Sequence, residues 1–134
     1  MTVEGVQKIT DNAVLAEIAK NDDEAVDVSI AAISKIDDNI LFSETLESVR
    51  PVKRCYIVAG LCSVNIEKIY CDPPTTQMIH LNCRHAIIKA FREKNHPDIT
   101  FKDGKKVVPN YDGGGSETIP TTEMYYKGAF ILRI

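Results

Sequence analysis

The stretch Lys8-Ile9-Thr10-Asp11-Asn12-Ala13-Val14-Leu15-Ala16-Glu17-Ile18-Ala19-Lys20 decides the fold, because its opening returns 27 residues later as Lys35-Ile36-Asp37-Asp38-Asn39. The match continues beyond the opening, with Leu15 answered by Phe42 and Glu17 by Glu44. Internal similarity at a fixed interval is the mark of a structural unit used more than once. In both copies a polar residue, Thr10 or Asp37, stands where an N-cap accepts hydrogen bonds from the first free backbone amides. Behind the first, Val14, Leu15, Ile18 and Ala19 fall on one face at helical spacing. Ile40, Leu41, Thr45 and Leu46 do the same behind the second. Both helices are short enough to be marginal alone, so each needs a neighbour to cover its apolar side.

Val28-Ser29-Ile30-Ala31-Ala32-Ile33-Ser34-Lys35-Ile36 supplies the neighbour of the first. Val28, Ala31, Ala32 and Ile36 share a face, and the alanines at its centre permit close helix approach. Ile30 lies off that stripe and is expected to meet a further element or a partner. Asp22, Asp23, Glu24 and Asp27 cluster near the start of this helix, where the macrodipole favours negative charge.

Taken together, residues 8–48 resemble the short HEAT-like helical repeats of bacterial and archaeal type. The resemblance rests on the Lys-Ile-Thr-Asp start, the Leu-Ala-Glu-Ile-Ala-Lys-Asn-Asp helix and turn, and the Val-x-x-Ala-Ala-Ile-x-Lys-Ile helix, with Ser29 where that family carries arginine. It weakens to residue 94, through Val49-Arg50-Pro51-Val52-Lys53-Arg54-Cys55-Tyr56-Ile57 and Cys83-Arg84-His85-Ala86-Ile87-Ile88-Lys89-Ala90-Phe91, which are irregularly spaced. It implies a mainly α fold, a short α-α superhelical stack in residues 1–95, and protein or peptide binding along a groove formed by successive helices. Arg50 and Arg84, at the family's arginine position, are then expected to brace neighbouring repeats.

Punctuation places further helices. Gly60 suits the end of a helix over 49–59, and Asp72-Pro73-Pro74 offers an N-cap followed by proline in the first turn. Ile79, Cys83, Ala86, Ile87 and Ala90 then form an apolar face, with Asn95 and Pro97 as stop signals. Cys55–Val58 and Ile66–Cys71 also read as strands, since periodicity cannot separate the two for runs this short. Beyond residue 95 the chain changes character. Asp103-Gly104 between Ile99–Lys102 and Lys105–Val108 predicts a tight hairpin. Pro109–Pro120, with Gly113-Gly114-Gly115, reads as a loop, and Met124–Ile134 as a strand interrupted at Lys127-Gly128. Residues 96–134 are therefore expected to form a small β extension packed on the helices.

Composition bounds the rest. The chain has 134 residues, no tryptophan and a net charge of −3, a size that builds a core without staples. The four cysteines (Cys55, Cys62, Cys71 and Cys83) do not look like a disulfide framework. With no run of about 20 apolar residues and no secretory leader at Met1–Lys8, the expectation is a cytoplasmic protein without membrane contact. Charge is uneven: residues 1–50 carry −7, residues 51–106 carry +5 and residues 107–134 carry −1.

Other chemistries compete with the interaction reading. Cys71, His80, Cys83 and His85 invite a metal site, but no Cys-x-x-Cys pair exists and on one helix His85 points away from His80. Thiol catalysis needs a thiolate beside a base in a cleft, and no local signature selects a pair. The basic residues Lys53, Arg54, Arg84, Lys89, Arg92, Lys94, Lys102, Lys105 and Lys106 raise nucleic-acid contact through 51–106, against an acidic pI near 5.6. Gly113-Gly114-Gly115-Ser116 lacks the Gly-Lys-Ser/Thr ending of a phosphate loop. The sequence therefore assigns no catalytic, metal or cofactor residue, and its leading expectation is a non-enzymatic protein- or peptide-binding module.

Overall fold

A computed structural model of the chain describes residues 1–66 and 81–134, the side chains of Leu81 and Asn82 apart. The Asp72-Pro73-Pro74 cap, the Ile66–Cys71 strand alternative beyond Ile66, and Ile79, Cys71 and His80 lie outside the described residues. Among those described, six helices run in order: α1 (Val3–Gln7), α2 (Asn12–Lys20), α3 (Val26–Ser34), α4 (Asn39–Ser48), α5 (Pro51–Cys62) and α6 (Leu81–Lys94). Three strands follow: β1 (Ile99–Pro109), β2 (Ser116–Tyr126) and β3 (Ala129–Arg133).

The repeated opening builds the same device twice. Asp11 caps α2 by accepting from the Ala13 amide, and Asp38 caps α4 by accepting from the Leu41 amide. The caps thus fall one residue after Thr10 and Asp37. Asp37 instead accepts from the Asn12 side chain at 2.7 Å, tying the two helix starts together. α2 packs on α3 and beside α4, while α3 packs beside α5 and covers α1. Leu15, Ala19, Ala32, Ile33, Leu46, Val52 and Ile57 fill the space between them. Val14 and Ile40, placed by periodicity on the apolar faces, are exposed.

Residues 51–62 are helix, so the strand alternative at Cys55–Val58 does not hold. Gly60 lies inside α5, and the left-handed residue that ends it is Ser63, at φ 57°. Glycine serves a different purpose there: a Cβ at Gly60 would stand 2.4 Å from Cδ1 of Ile30 on α3. Ile30, off the stripe of its own helix, meets α5 at that point. Asn95 ends α6 in the left-handed region at φ 52°.

The mainly α expectation is corrected by the C-terminal third. The chain is mixed α/β, with a three-stranded antiparallel sheet in the order β1-β2-β3. Asp103-Gly104 is not a turn. It lies within β1, where Gly104 faces Thr121, and the chain reverses at Asn110–Gly115. A turn at Asp103-Gly104 would set Phe101 across from Lys106. The observed register sets Ile99 and Phe101 across from Tyr126 and Met124, so that apolar side chains share the face turned to the helices. Asp112-Gly113 makes the reversal, with Gly113 at φ 74° and Gly115 at φ 86°. Residues 116–120, expected in a loop, are strand. Lys127 and Gly128, at φ 49° and 84°, form the two-residue turn from β2 to β3.

Candidate interaction surfaces

Much of the positive charge that sequence reading left available is consumed inside the fold. A helix ends with free backbone carbonyls and partial negative charge, and a buried cation satisfies both. Lys35 sends its ammonium back to the carbonyls of Val6 and Gln7 in the last turn of α1 and of Ile9 just past it, at 3.2, 2.8 and 2.6 Å. Lys53 reaches the carbonyls of Asn21 and Glu24, at 2.8 and 2.9 Å, beyond the end of α2. Arg54 donates to the carbonyls of Leu46, Glu47 and Val49 where α4 ends, and through Nη1 to Ile131 on β3. Burial lowers the pKa of both Lys53 and Arg54, Asp22 giving the largest offset for Lys53. Arg50 forms an ion pair with Asp22 at 3.1 Å, linking the entry of α5 to the turn after α2.

Lys53 and Arg54 therefore cannot present themselves to a phosphate backbone. Arg92 is engaged on the sheet, with its guanidinium 4.4 Å from the Phe101 ring centroid and 2.9 Å from Asp103. Lys89, Lys94, Lys102, Lys105 and Lys106 are exposed, spread over α6 and both faces of β1, and Arg84 is half-buried. Cys83 is buried and His85 exposed, so these two do not converge. Among the described residues no group of three metal-ligating side chains is present. Cys62 is buried and its thiol is pushed up to about 11, chiefly by desolvation and then by Asp98. At neutral pH it is a protonated thiol, the opposite of an activated nucleophile.

Two features remain open. The first is a groove of about 350 Å³ between α3 and α5, floored by Gly60 and Ala59 and walled by Val26, Ile30, Tyr56 and Val64. The close approach at Gly60 and Ile30 makes it shallow and apolar; outside its lining, exposed Asp27 directly follows Val26 in sequence and exposed Asp23 stands three residues before it. The sequence signal for it was Ile30, the apolar residue that fitted no stripe. The second is the outer part of the β1–β2 hairpin, from Asp103–Pro109 to Ser116–Thr122. It runs past the end of β3 and leaves Val107 69% exposed and Tyr111 fully exposed. A more polar cavity of about 620 Å³ lies between α4 and the β2–β3 turn, where Glu44, Glu47, Asp98 and Lys127 meet. None of its groups is an unpartnered buried donor or acceptor, and Glu47 is occupied with the Phe130 amide.

Among the described residues no helix is long and apolar enough to cross a membrane. Compared with known proteins, the chain matches no family model, no curated protein and no solved structure.

Proposed function

We propose that the protein is a non-enzymatic interaction module that binds a peptide segment of a partner protein in the groove between α3 and α5. The observation that carries this reading is the groove itself, open and apolar, formed by the second helices of two consecutive helix pairs. The HEAT-like reading of residues 8–48 supports it, since that resemblance implies peptide binding along a groove formed by successive helices. Shape and charge complementarity do the work, with no bond made or broken. A ligand with apolar anchors for Val26, Ile30 and Val64 and a basic residue toward Asp23 and Asp27 fits best.

Selection from a displayed peptide library, followed by solution titration, tests this. Apolar peptides with a flanking Lys or Arg are expected to bind and to perturb amide resonances of α3 and α5. Val26→Glu and Val64→Glu, both at half-exposed positions, should weaken binding about tenfold or more, as truncation of a central anchor commonly does. Enriched peptides that ignore both substitutions, or a library that yields none, would overturn the reading.

A further inference from the structure

We infer that the open edge of β1 pairs with β1 of a second copy of this chain, antiparallel and centred on Gly104, to make a six-stranded sheet across a twofold axis. The backbone sets which residues can take part. At one end of the hairpin the Asn110 amide donates to Gly115, and at the other the Lys127 amide donates to Asp98. Both pairs continue, one step beyond each end, the single register of β1 with β2. In an antiparallel ladder hydrogen-bonded pairs recur at every second residue. Even-numbered residues from Thr100 to Val108 therefore spend their amides and carbonyls on β2. Phe101, Asp103, Lys105 and Val107 aim theirs at the free edge, where no described strand meets them.

The outer hairpin also calls for a partner. It extends roughly 20 Å from Asp103 to Pro109 at about 3.3 Å per residue, and β3 pairs only with Glu123–Tyr126. A two-stranded ribbon without a third strand or a covering helix is marginal in water. Lysine and proline ordinarily blunt such an edge, and Lys102, Lys105, Lys106 and Pro109 stand on this one. One register turns that defence into a complement. Only registers that set odd-numbered residues against odd-numbered ones align the free amides with free carbonyls. Centring on Asp103 or on Lys105 opposes like charges at the axis. Centring on Gly104 pairs Asp103 with Lys105 of the second copy, and Phe101 with its Val107, each twice by symmetry. Arg92 and Thr122 already hold the Asp103 carboxylate on that face. Lys102 and Lys106 meet on the other face, where Glu123 stands opposite Lys102.

Sedimentation equilibrium of the full chain, with amide exchange at low and high concentration, tests the pairing. The expected result is a reversible dimer in which Phe101, Asp103, Lys105 and Val107 amides gain protection while even-numbered neighbours do not change. Lys105→Pro removes an edge amide without touching the β1–β2 bonds, and should give a folded monomer with unchanged circular dichroism. D103K and K105D should each weaken dimerisation about tenfold or more, and mixing the two variants should restore a mixed dimer, because opposite charges then meet at both positions. A chain that stays monomeric at millimolar concentration overturns the proposal. So does a dimer indifferent to Lys105→Pro, or a mixture of the charge variants no tighter than either alone.

Discussion

The guanidinium of Arg54 donates to the carbonyl of Ile131 at 3.0 Å, joining residues 77 apart in sequence. The same side chain closes the end of α4, so one buried cation holds the second helix pair and the last strand together. Its Nε and Nη2 are spent on Leu46, Glu47 and Val49, and Nη1 on the strand. A planar fork can divide its donors this way, whereas an ammonium acts from one point.

Arg54→Ala is therefore expected to cost about 3 kcal/mol or more, since it strands several buried carbonyls at once. Arg54→Lys should recover only part of that. Urea unfolding measures the loss. Amide exchange should show β3 loosening before α2 and α3, and equal loosening everywhere would argue against a local staple.

Among the described residues, two buried hydroxyls, those of Ser29 and Thr45, have no hydrogen-bond partner. Thr45→Val keeps the shape and removes the stranded group, and should stabilise the fold by about 1 kcal/mol. Ser29→Ala should act in the same direction. A lower urea midpoint in both variants would show that the hydroxyls are satisfied in solution.

Gly60 and Ile30 should behave as a coupled pair. Alanine in place of a helical glycine gains about 1 kcal/mol from propensity. At Gly60 the new methyl meets Ile30 Cδ1, so Gly60→Ala alone should gain less. Combined with Ile30→Ala it should return the full amount. Unfolding free energies of the four proteins close the cycle, and strict additivity would place the two side chains out of contact.

The Cys62 thiol carries its own pH signature. Its folded pKa, raised from 9.0 to about 11, exceeds that of the unfolded chain. The folded state therefore holds its proton longer, and stability is intact below pH 9 and lost as pH rises through about 11. Cys62→Ala should flatten the fall in unfolding free energy over that window. At pH 8 the native thiol should resist alkylation until the chain unfolds. Rapid labelling of Cys62 in the folded protein would contradict its burial.

Residues 8–62 were legible because α2 and α4 announce themselves with an aspartate cap, and α3 and α5, which begin at Ala25 and Arg50 without one, carry an apolar face of their own. The cap fell one residue late, since adjacent polar residues at Thr10-Asp11 and Asp37-Asp38 offer the backbone two equivalent choices. Gly60 was misplaced because a glycine near a helix end looks the same whether it supplies a left-handed turn or a close approach. The sheet was misread for a related reason. Asp103-Gly104 and Asp112-Gly113 are both sound turn dipeptides, and only the distant Met124 and Tyr126, facing Phe101 and Ile99, decide between them. The roles of Lys35, Lys53 and Arg54 left no local trace: a charge destined for another helix's carbonyls reads like one destined for water.

Those three side chains all reach backwards along the chain, from Lys35 to Val6–Ile9, from Lys53 to Asn21–Glu24, and from Arg54 to Leu46–Val49. During synthesis on the ribosome α1, α2 and α4 are thus each left unfinished until a residue made later emerges to complete them. Arg54 is on hand early for α4, and then waits for the arrival of β3 before its last donor is satisfied. The order of translation is written into the fold as a succession of latches, each closed by what comes next.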